Sequence, residues 1–159
     1  MKILNQDLWT SKADLIVVTC NGIVTKHGKL VMGRGAAMEA ANRYPELPTD
    51  AGRLIKDLSS GLADYVSDMG NNTFLYGFLP VIAGAGSIGL FQVKFHFRDA
   101  AKFSLIGFSL VRMNEWLRKF PKDAKIAMNF PGIGFGGLQQ EDVEPILEDL
   151  DDRVTLYIK

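Results

Sequence analysis

A three-layer α/β domain around a mixed or parallel sheet is the fold class this sequence predicts, and three observations predict it. Segments of strand length alternate with helix-forming segments along the whole chain; no repeat or linker interrupts them; and Leu15 to Thr19 reads Leu-Ile-Val-Val-Thr, the content of a strand covered on both faces. In sheets of that kind ligands bind beyond the carboxyl ends of the strands. The 159 residues equal about one domain of typical ~150-residue size, so residues 1–159 are read as a single unit.

Met1 to Asn5 predicts a short first strand and Leu15 to Thr19 a buried second. After a polar excursion from Asn21 to Lys29, the loop Met32-Gly33-Arg34-Gly35 opens into a helix over Ala36 to Tyr44, stopped by Pro45. Thr49 or Asp50 is placed to cap a second helix through Leu54, Ile55 and Leu58, ended by Gly61. Strands are expected at Asp64 to Ser67 and Thr73 to Ile82, a loop at Ala83 to Gly89 because of its three glycines, and an extended piece at Phe91 to Phe97. From Asp99, the residues Phe103, Ile106, Leu110, Met113 and Leu117 step by three or four and form one apolar stripe on a long helix. Lys125 to Asn129 is another short buried strand. Val143, Ile146, Leu147 and Leu150 mark a last helix with Pro145 near its first turn, and Arg153 to Ile158 closes as a strand.

Composition narrows the function classes. Hydrophobic residues make up 47% and charged residues 23%, which suffices for a core and argues against long disorder. Eighteen basic residues balance eighteen acidic ones, so strong non-specific nucleic-acid binding is not expected and any anionic partner must be held locally. No apolar run approaches the roughly 20 residues that span a bilayer, and a single cysteine with a polar start predicts a soluble, cytoplasmic protein. His27 and His96 have no metal-ligand spacing to each other or to Cys20, so no metal is expected; Cys20, after a buried strand, reads as a small buried hydrophobe.

Two glycine clusters, Gly33 with Gly35 and Gly132 through Gly137, each follow a buried strand and precede a helix. Glycine lets backbone N–H groups converge and an anion approach a helix N-terminus, so two such loops can clamp a diphosphate; tight turns alone would use the same residues. Residues 132–137 match G-x-G-x-x-G, but only 22 residues follow Gly137, too few for a dinucleotide-binding unit. Neither cluster has the G-K-[ST] ending of a P-loop. Phe91 to Arg98 interleaves aromatic and basic residues; if extended, it puts Lys94, His96 and Arg98 on one face.

These segments, in this order, resemble a macro domain, the ADP-ribose-binding fold, over essentially the whole chain. Asp7-Leu8-Trp9-Thr10 followed by Ala13 to Val18 resembles the family's opening, with Asn21 as its strand-end asparagine. Met32-Gly33-Arg34-Gly35-Ala36-Ala37 resembles the M-G-x-G-I-A loop, and Phe130-Pro131-Gly132-Ile133-Gly134-Phe135-Gly136-Gly137-Leu138 the phosphate-binding loop. Phe91 to Arg98 is most similar to the F-P-T-K-x-H-W-R segment of the branch that includes the DNA ADP-ribosyl glycohydrolase antitoxins and the terminal ADP-ribose protein glycohydrolases, with Lys94 on the catalytic lysine. Gln92 and Val93 replace its Pro and Thr, several residues are inserted between Asn21 and Met32, and Leu138-Gln139 stands where the protein-directed enzymes carry an aspartate.

The resemblance implies an α/β/α macro domain with a mixed central sheet and a ligand site made by Asp7, Leu8, Asn21, Met32, Gly33, Gly35, Ala36, Pro131, Gly132, Ile133, Gly134, Phe135 and Gly136, with Lys94 catalytic and no cofactor. Asp7 can accept from the adenine amine, or serve as a turn residue or N-cap; Asn21 suits a ribose diol, or an ordinary turn. Phe135 either covers the distal ribose or packs in the core. Lys94 must approach C1 of that ribose, as a neutral amine or as a cation, and the first role needs a lowered pKa that burial or Arg98 could bring. The implied activity is ADP-ribose binding and hydrolysis of an ADP-ribosyl linkage on DNA or protein. A non-catalytic module binding ADP-ribose or related NAD metabolites and an ADP-ribose 1″-phosphate phosphatase are the alternatives.

Overall fold

The computed structural model describes residues 1–60, 72–84 and 86–159. The strand expected at Asp64 to Ser67 and the helix end expected at Gly61 lie outside the described residues. Six strands form one sheet: β1 (Lys2–Leu4), β2 (Leu15–Cys20), β3 (Phe78–Ala83), β4 (Gly86–Gln92), β5 (Ile126–Asn129) and β6 (Val154–Tyr157). Their order is β1-β6-β5-β2-β4-β3. Every neighbouring pair is parallel except β3 with β4, so the sheet is mixed.

Period-two alternation in β2 explains the three layers. Leu15 and Val17 enter one core with Ile106, Leu110, Met113 and Leu117 of α3 (Phe103–Leu117) and with Val143 and Leu147. Val18 and Cys20 enter the other, with Ala37 and Ala40 of α1 (Gly35–Arg43) and Leu47, Ala51 and Ile55 of α2 (Leu47–Ser60). Helices therefore cover both faces. Among the described residues no helix is long and apolar enough to cross a membrane.

Several elements depart from expectation. Residues Ala83 to Gly89 are not a loop: a tight turn at Gly84 leads into β4, which lies between β2 and β3. Its second glycine answers crowding, because a Cβ on Gly89 would lie 2.9 Å from both the Phe78 ring and Val17. The strand expected from Thr73 begins only at Phe78. Upstream, the N–H groups of Tyr76 and Gly77 donate to the Gln92 side chain instead of a neighbouring strand.

Past Gln92 the chain turns, with Asp99 N–H on the His96 carbonyl at 3.0 Å and Arg98 N–H on His96 Nδ1 at 3.1 Å. Lys94, His96 and Arg98 consequently share no strand face. Helix α2 starts at Leu47, ahead of Thr49 and Asp50, because Pro48 fits a first turn. Phe103 is exposed and outside the buried stripe of α3. The last helix is one α turn, α4 (Gln140–Val143), that tightens into a 3-10 turn over Glu144–Leu147, where Pro145 supplies no N–H.

Gly89→Ala is expected to destabilise the protein by about 1–3 kcal/mol through overpacking. Thermal unfolding checks this: the midpoint should fall by several degrees, and an unchanged midpoint would contradict the crowding argument.

Candidate functional site

Because β2, β4 and β5 run parallel, all three end at one edge of the sheet, and three amide side chains organise the segments beyond that edge. Asn21, one residue past β2, accepts from Ile23 N–H at 2.9 Å and donates to the Val31 carbonyl at 3.0 Å. Asn129, ending β5, accepts from Thr19 N–H at 3.0 Å and donates to the Thr19 hydroxyl at 2.8 Å. Gln92, ending β4, is fully buried. Its amide accepts from Tyr76 and Gly77 N–H and donates to the carbonyls of Phe74 and Lys94. These bonds shape a rim around a cavity of about 760 Å³, within the usual range for small-molecule sites.

Both glycine loops reach this cavity. Gly33, Gly35 and Ala36 line it where α1 begins, so the N–H groups of a nine-residue helix open toward it. Gly132, Ile133, Gly134, Phe135 and Gly136 line the opposite wall. Gly132 (φ +85°) is hemmed in by Ile106 and Leu138 and serves packing, whereas Gly134 (φ +63°) has no atom within 4 Å of a would-be Cβ and faces open space. The second loop is tied to the segment after Lys94 by Ala101 N–H on the Gly136 carbonyl at 2.8 Å.

Lys94 lies between the loops. Its Nζ donates to the Phe135 carbonyl at 3.3 Å. Burial holds its pKa below the ordinary lysine value, the Arg34 guanidinium pushes the same way, and Asp99 opposes both. Arg98, the cation suggested by the sequence, is not the cause. Phe135 is exposed, so it is not core, and the Arg34 guanidinium lies 5.6 Å from its ring centroid. Cys20 touches the cavity, but burial pushes its thiol up to about 12, leaving it un-ionised and unreactive. Among the described residues no cluster of His, Cys, Asp or Glu could hold a metal.

The cavity brings together Leu8, Asn21, Gly33, Gly35, Ala36, Lys94 and the residues of the second loop from Gly132 to Gly136. It does not include Asp7, Met32 or Pro131. Asp7 caps the 3-10 turn Leu8–Thr10, its Oδ1 accepting from Trp9 N–H at 3.0 Å; Met32 is buried beneath the loop. Sequence reasoning passed over the side chains of Arg34, Glu39, Phe97, Asn129 and Tyr157, all of which line the site. Asn129 had a signal, an amide at a strand end like Asn21; Glu39 and Tyr157 had none, since each is an ordinary residue for its helix or strand.

No protein-family model matches the sequence, and no curated protein matches it. Solved structures do, and they define the class: the fold is that of the macrodomains. The macrodomain of Mycobacterium tuberculosis DarG superposes with a TM-score of 0.73 at 24% identity, covering 99% of this chain and 97% of that one. The macrodomain of Thermus aquaticus DarG gives 0.67 at 17% identity, with 99% and 97% covered. Thermosipho africanus DarTG, solved in complex with ADP-ribose, gives 0.67 at 21% identity, with 99% of this chain matching 41% of that longer one.

The depressed pKa of Lys94 means that its amine becomes neutral, and hence nucleophilic, at lower pH than an exposed lysine. Labelling by an acylating reagent, followed by mass spectrometry, should reach half its maximal rate at lower pH for Lys94 than for the side chain of a short unstructured lysine peptide. Arg34→Gln removes one depressing charge and should move the Lys94 midpoint upward; an unmoved midpoint would contradict the assigned cause.

Proposed function

We propose that this protein binds ADP-ribose in the cavity and hydrolyses an ADP-ribosyl linkage on a nucleobase or a protein side chain. The observation that carries the reading is the placement of one partly desolvated lysine between two glycine loops that converge on a single cavity. The diphosphate would rest between the loop at Gly33–Gly35 and the one at Gly132–Gly136, with Phe135 over the distal ribose and Lys94 at its C1. The complex of T. africanus DarTG with ADP-ribose supports a ligand of this kind.

Two routes suit Lys94. A neutral Nζ attacks C1 of the ring-opened sugar, displaces the leaving group as a Schiff base forms, and water then releases ADP-ribose and restores the amine. Alternatively the ammonium stabilises charge on the departing group while water attacks C1 directly. Phe97, exposed beside the cavity with His96 stacked at 4.3 Å and Arg98 at 5.7 Å, forms a platform on which a planar leaving group could rest. A non-catalytic ADP-ribose module is the second reading. It is favoured by the described lining residues, among which the one side-chain carboxylate, Glu39, is engaged by the Trp9 indole N–H and makes no hydrogen bond to Lys94.

ADP-ribose should raise the unfolding temperature well above any effect of adenosine, since the loops serve the diphosphate. Gly134→Val should abolish that shift while the apoprotein still folds, because the branched side chain fills open space in the anion site and resists φ > 0. Equal shifts with both ligands would contradict the reading.

Lys94→Ala should lower turnover at least about a hundredfold with little change in ADP-ribose affinity. The panel is ADP-ribosyl thymidine, guanosine, glutamate and serine together with the 1″-phosphate. Lys94→Arg separates the routes: arginine keeps the charge but cannot act as a neutral amine, so retained turnover excludes the Schiff base. Affinity for ADP-ribose without turnover on any member would establish the binding module; release of phosphate from the 1″-phosphate would instead make the protein a phosphatase.

A further inference from the structure

We propose that Gln92 is a positioning residue for Lys94: its buried amide takes the place of a strand that β3 does not supply, and fixes the peptide from which the lysine side chain reaches into the cavity. The inference deepens the proposed function and rests on Lys94 acting at C1 of the ribose. Gln92 is fully buried, as is Ser109, whose hydroxyl donates to the Gln92 carbonyl at 2.7 Å. Buried polar groups are tolerated where they are bonded, and a fully satisfied network then specifies one arrangement. Gln92 stands where the resembled motif carries proline, which offers no such amide.

The need for the amide follows from how the sheet ends. On one side, Val93 N–H donates to the Cys20 carbonyl at 3.0 Å and Gly22 N–H to the Phe95 carbonyl at 2.8 Å, so contact with the chain of β2 continues past Gln92. On the other side it stops. Gln92 N–H still meets the Gly77 carbonyl at 2.7 Å, but Phe74 N–H donates to the Gly22 carbonyl at 2.7 Å, because the chain before β3 has left β4 for the segment that follows β2. Gln92 Nε2 fills the gap, donating to the carbonyls of Phe74 at 2.8 Å and Lys94 at 3.3 Å. Its Oε1 accepts from Tyr76 and Gly77 N–H at 2.9 and 3.0 Å. A Cβ on Gly22 would lie 2.6 Å from Nε2, so glycine there leaves the amide its room. Lys94 is thereby held at its peptide, and only its side-chain torsions remain for Nζ to meet the Phe135 carbonyl or a ligand. Misplacing a reacting group by about 1 Å can cost on the order of 10²-fold in rate, which is what a fixed peptide guards against.

The test uses whichever substrate of the panel wild-type protein turns over. Gln92→Glu keeps the size and both accepting bonds, but a carboxylate cannot donate to Phe74 or Lys94; Gln92→Met removes all four bonds. Each should lower kcat at least about tenfold with little change in ADP-ribose affinity. If Gln92→Met fails to fold, Gln92→Glu carries the test alone. Gly89→Ala disturbs the same strand, but its added Cβ meets Phe78 and Val17 and not Gln92 or Lys94. It should keep wild-type kcat at a temperature where the variants compared are all folded. Wild-type kcat in Gln92→Glu, an equal loss in Gly89→Ala, or a loss of affinity in proportion to kcat would overturn this inference alone. Absence of turnover by wild-type protein on every substrate would overturn the catalytic reading with it.

Discussion

The structure depends on how the central strands end. Where a parallel strand leaves its sheet, backbone groups lose their ladder partners at a depth that water does not reach, and each unanswered group costs roughly 1–3 kcal/mol. Gln92 answers most of this. An amide offers two acceptor lone pairs and two donors, and Gln92 uses all four, on Tyr76, Gly77, Phe74 and Lys94. Its own carbonyl receives the Ser109 hydroxyl of α3 at 2.7 Å. One side chain thus joins the segment before β3, the end of β4, helix α3 and the backbone of Lys94.

The same constraint explains what the sequence disclosed and what it hid. Alternation in Leu15 to Cys20 and the stripe Ile106, Leu110, Met113, Leu117 were legible because burial periodicity is written in the residues themselves. Strand β4 was hidden: glycine at position 89 is demanded by Phe78 and Val17, and such contacts between distant segments leave only a composition that resembles a loop. The early end of regular pairing before Phe78 was hidden for a related reason. The competing acceptor, Gln92, is sixteen residues from Tyr76. The glycine loops were legible as loops, and the resemblance brought them to one site. Which neighbouring side chains turn inward depends on the angle of α1 and the path of the last residues, information carried by packing. Hence Arg34, Glu39 and Tyr157 stayed unread, although Gly33 and Gly35 on either side of Arg34 were read as site residues.

Charge illustrates a further difference between a chain and its site. Formal neutrality over the whole molecule coexists with a cavity whose described lining includes Arg34 and Lys94 beside the glycine loops, with Glu39 the one side-chain carboxylate among the described lining residues. The imbalance lies around the glycine loops, whose converging amides add positive potential of their own. An anion arriving there meets a preorganised field, and the balancing acidic residues elsewhere are screened over about 8–10 Å at physiological salt.

Lys94 is where these features meet. Its backbone is fixed by Gln92 while its ammonium reaches across to Phe135, so a rigid base carries a side chain that only needs to exchange one carbonyl for another acceptor. That bond is weak, 3.3 Å long and partly exposed, and it can be given up without leaving a buried orphan. Desolvation and Arg34 favour the neutral amine; Asp99, exposed and therefore screened, opposes them incompletely. A diphosphate between the loops would push the other way, because nearby negative charge restores the ammonium. The protonation state of Lys94 would thus depend on what lies between the loops as much as on the protein. A lysine whose pKa the protein alone holds below its ordinary value is one whose charge a neighbouring anion would shift.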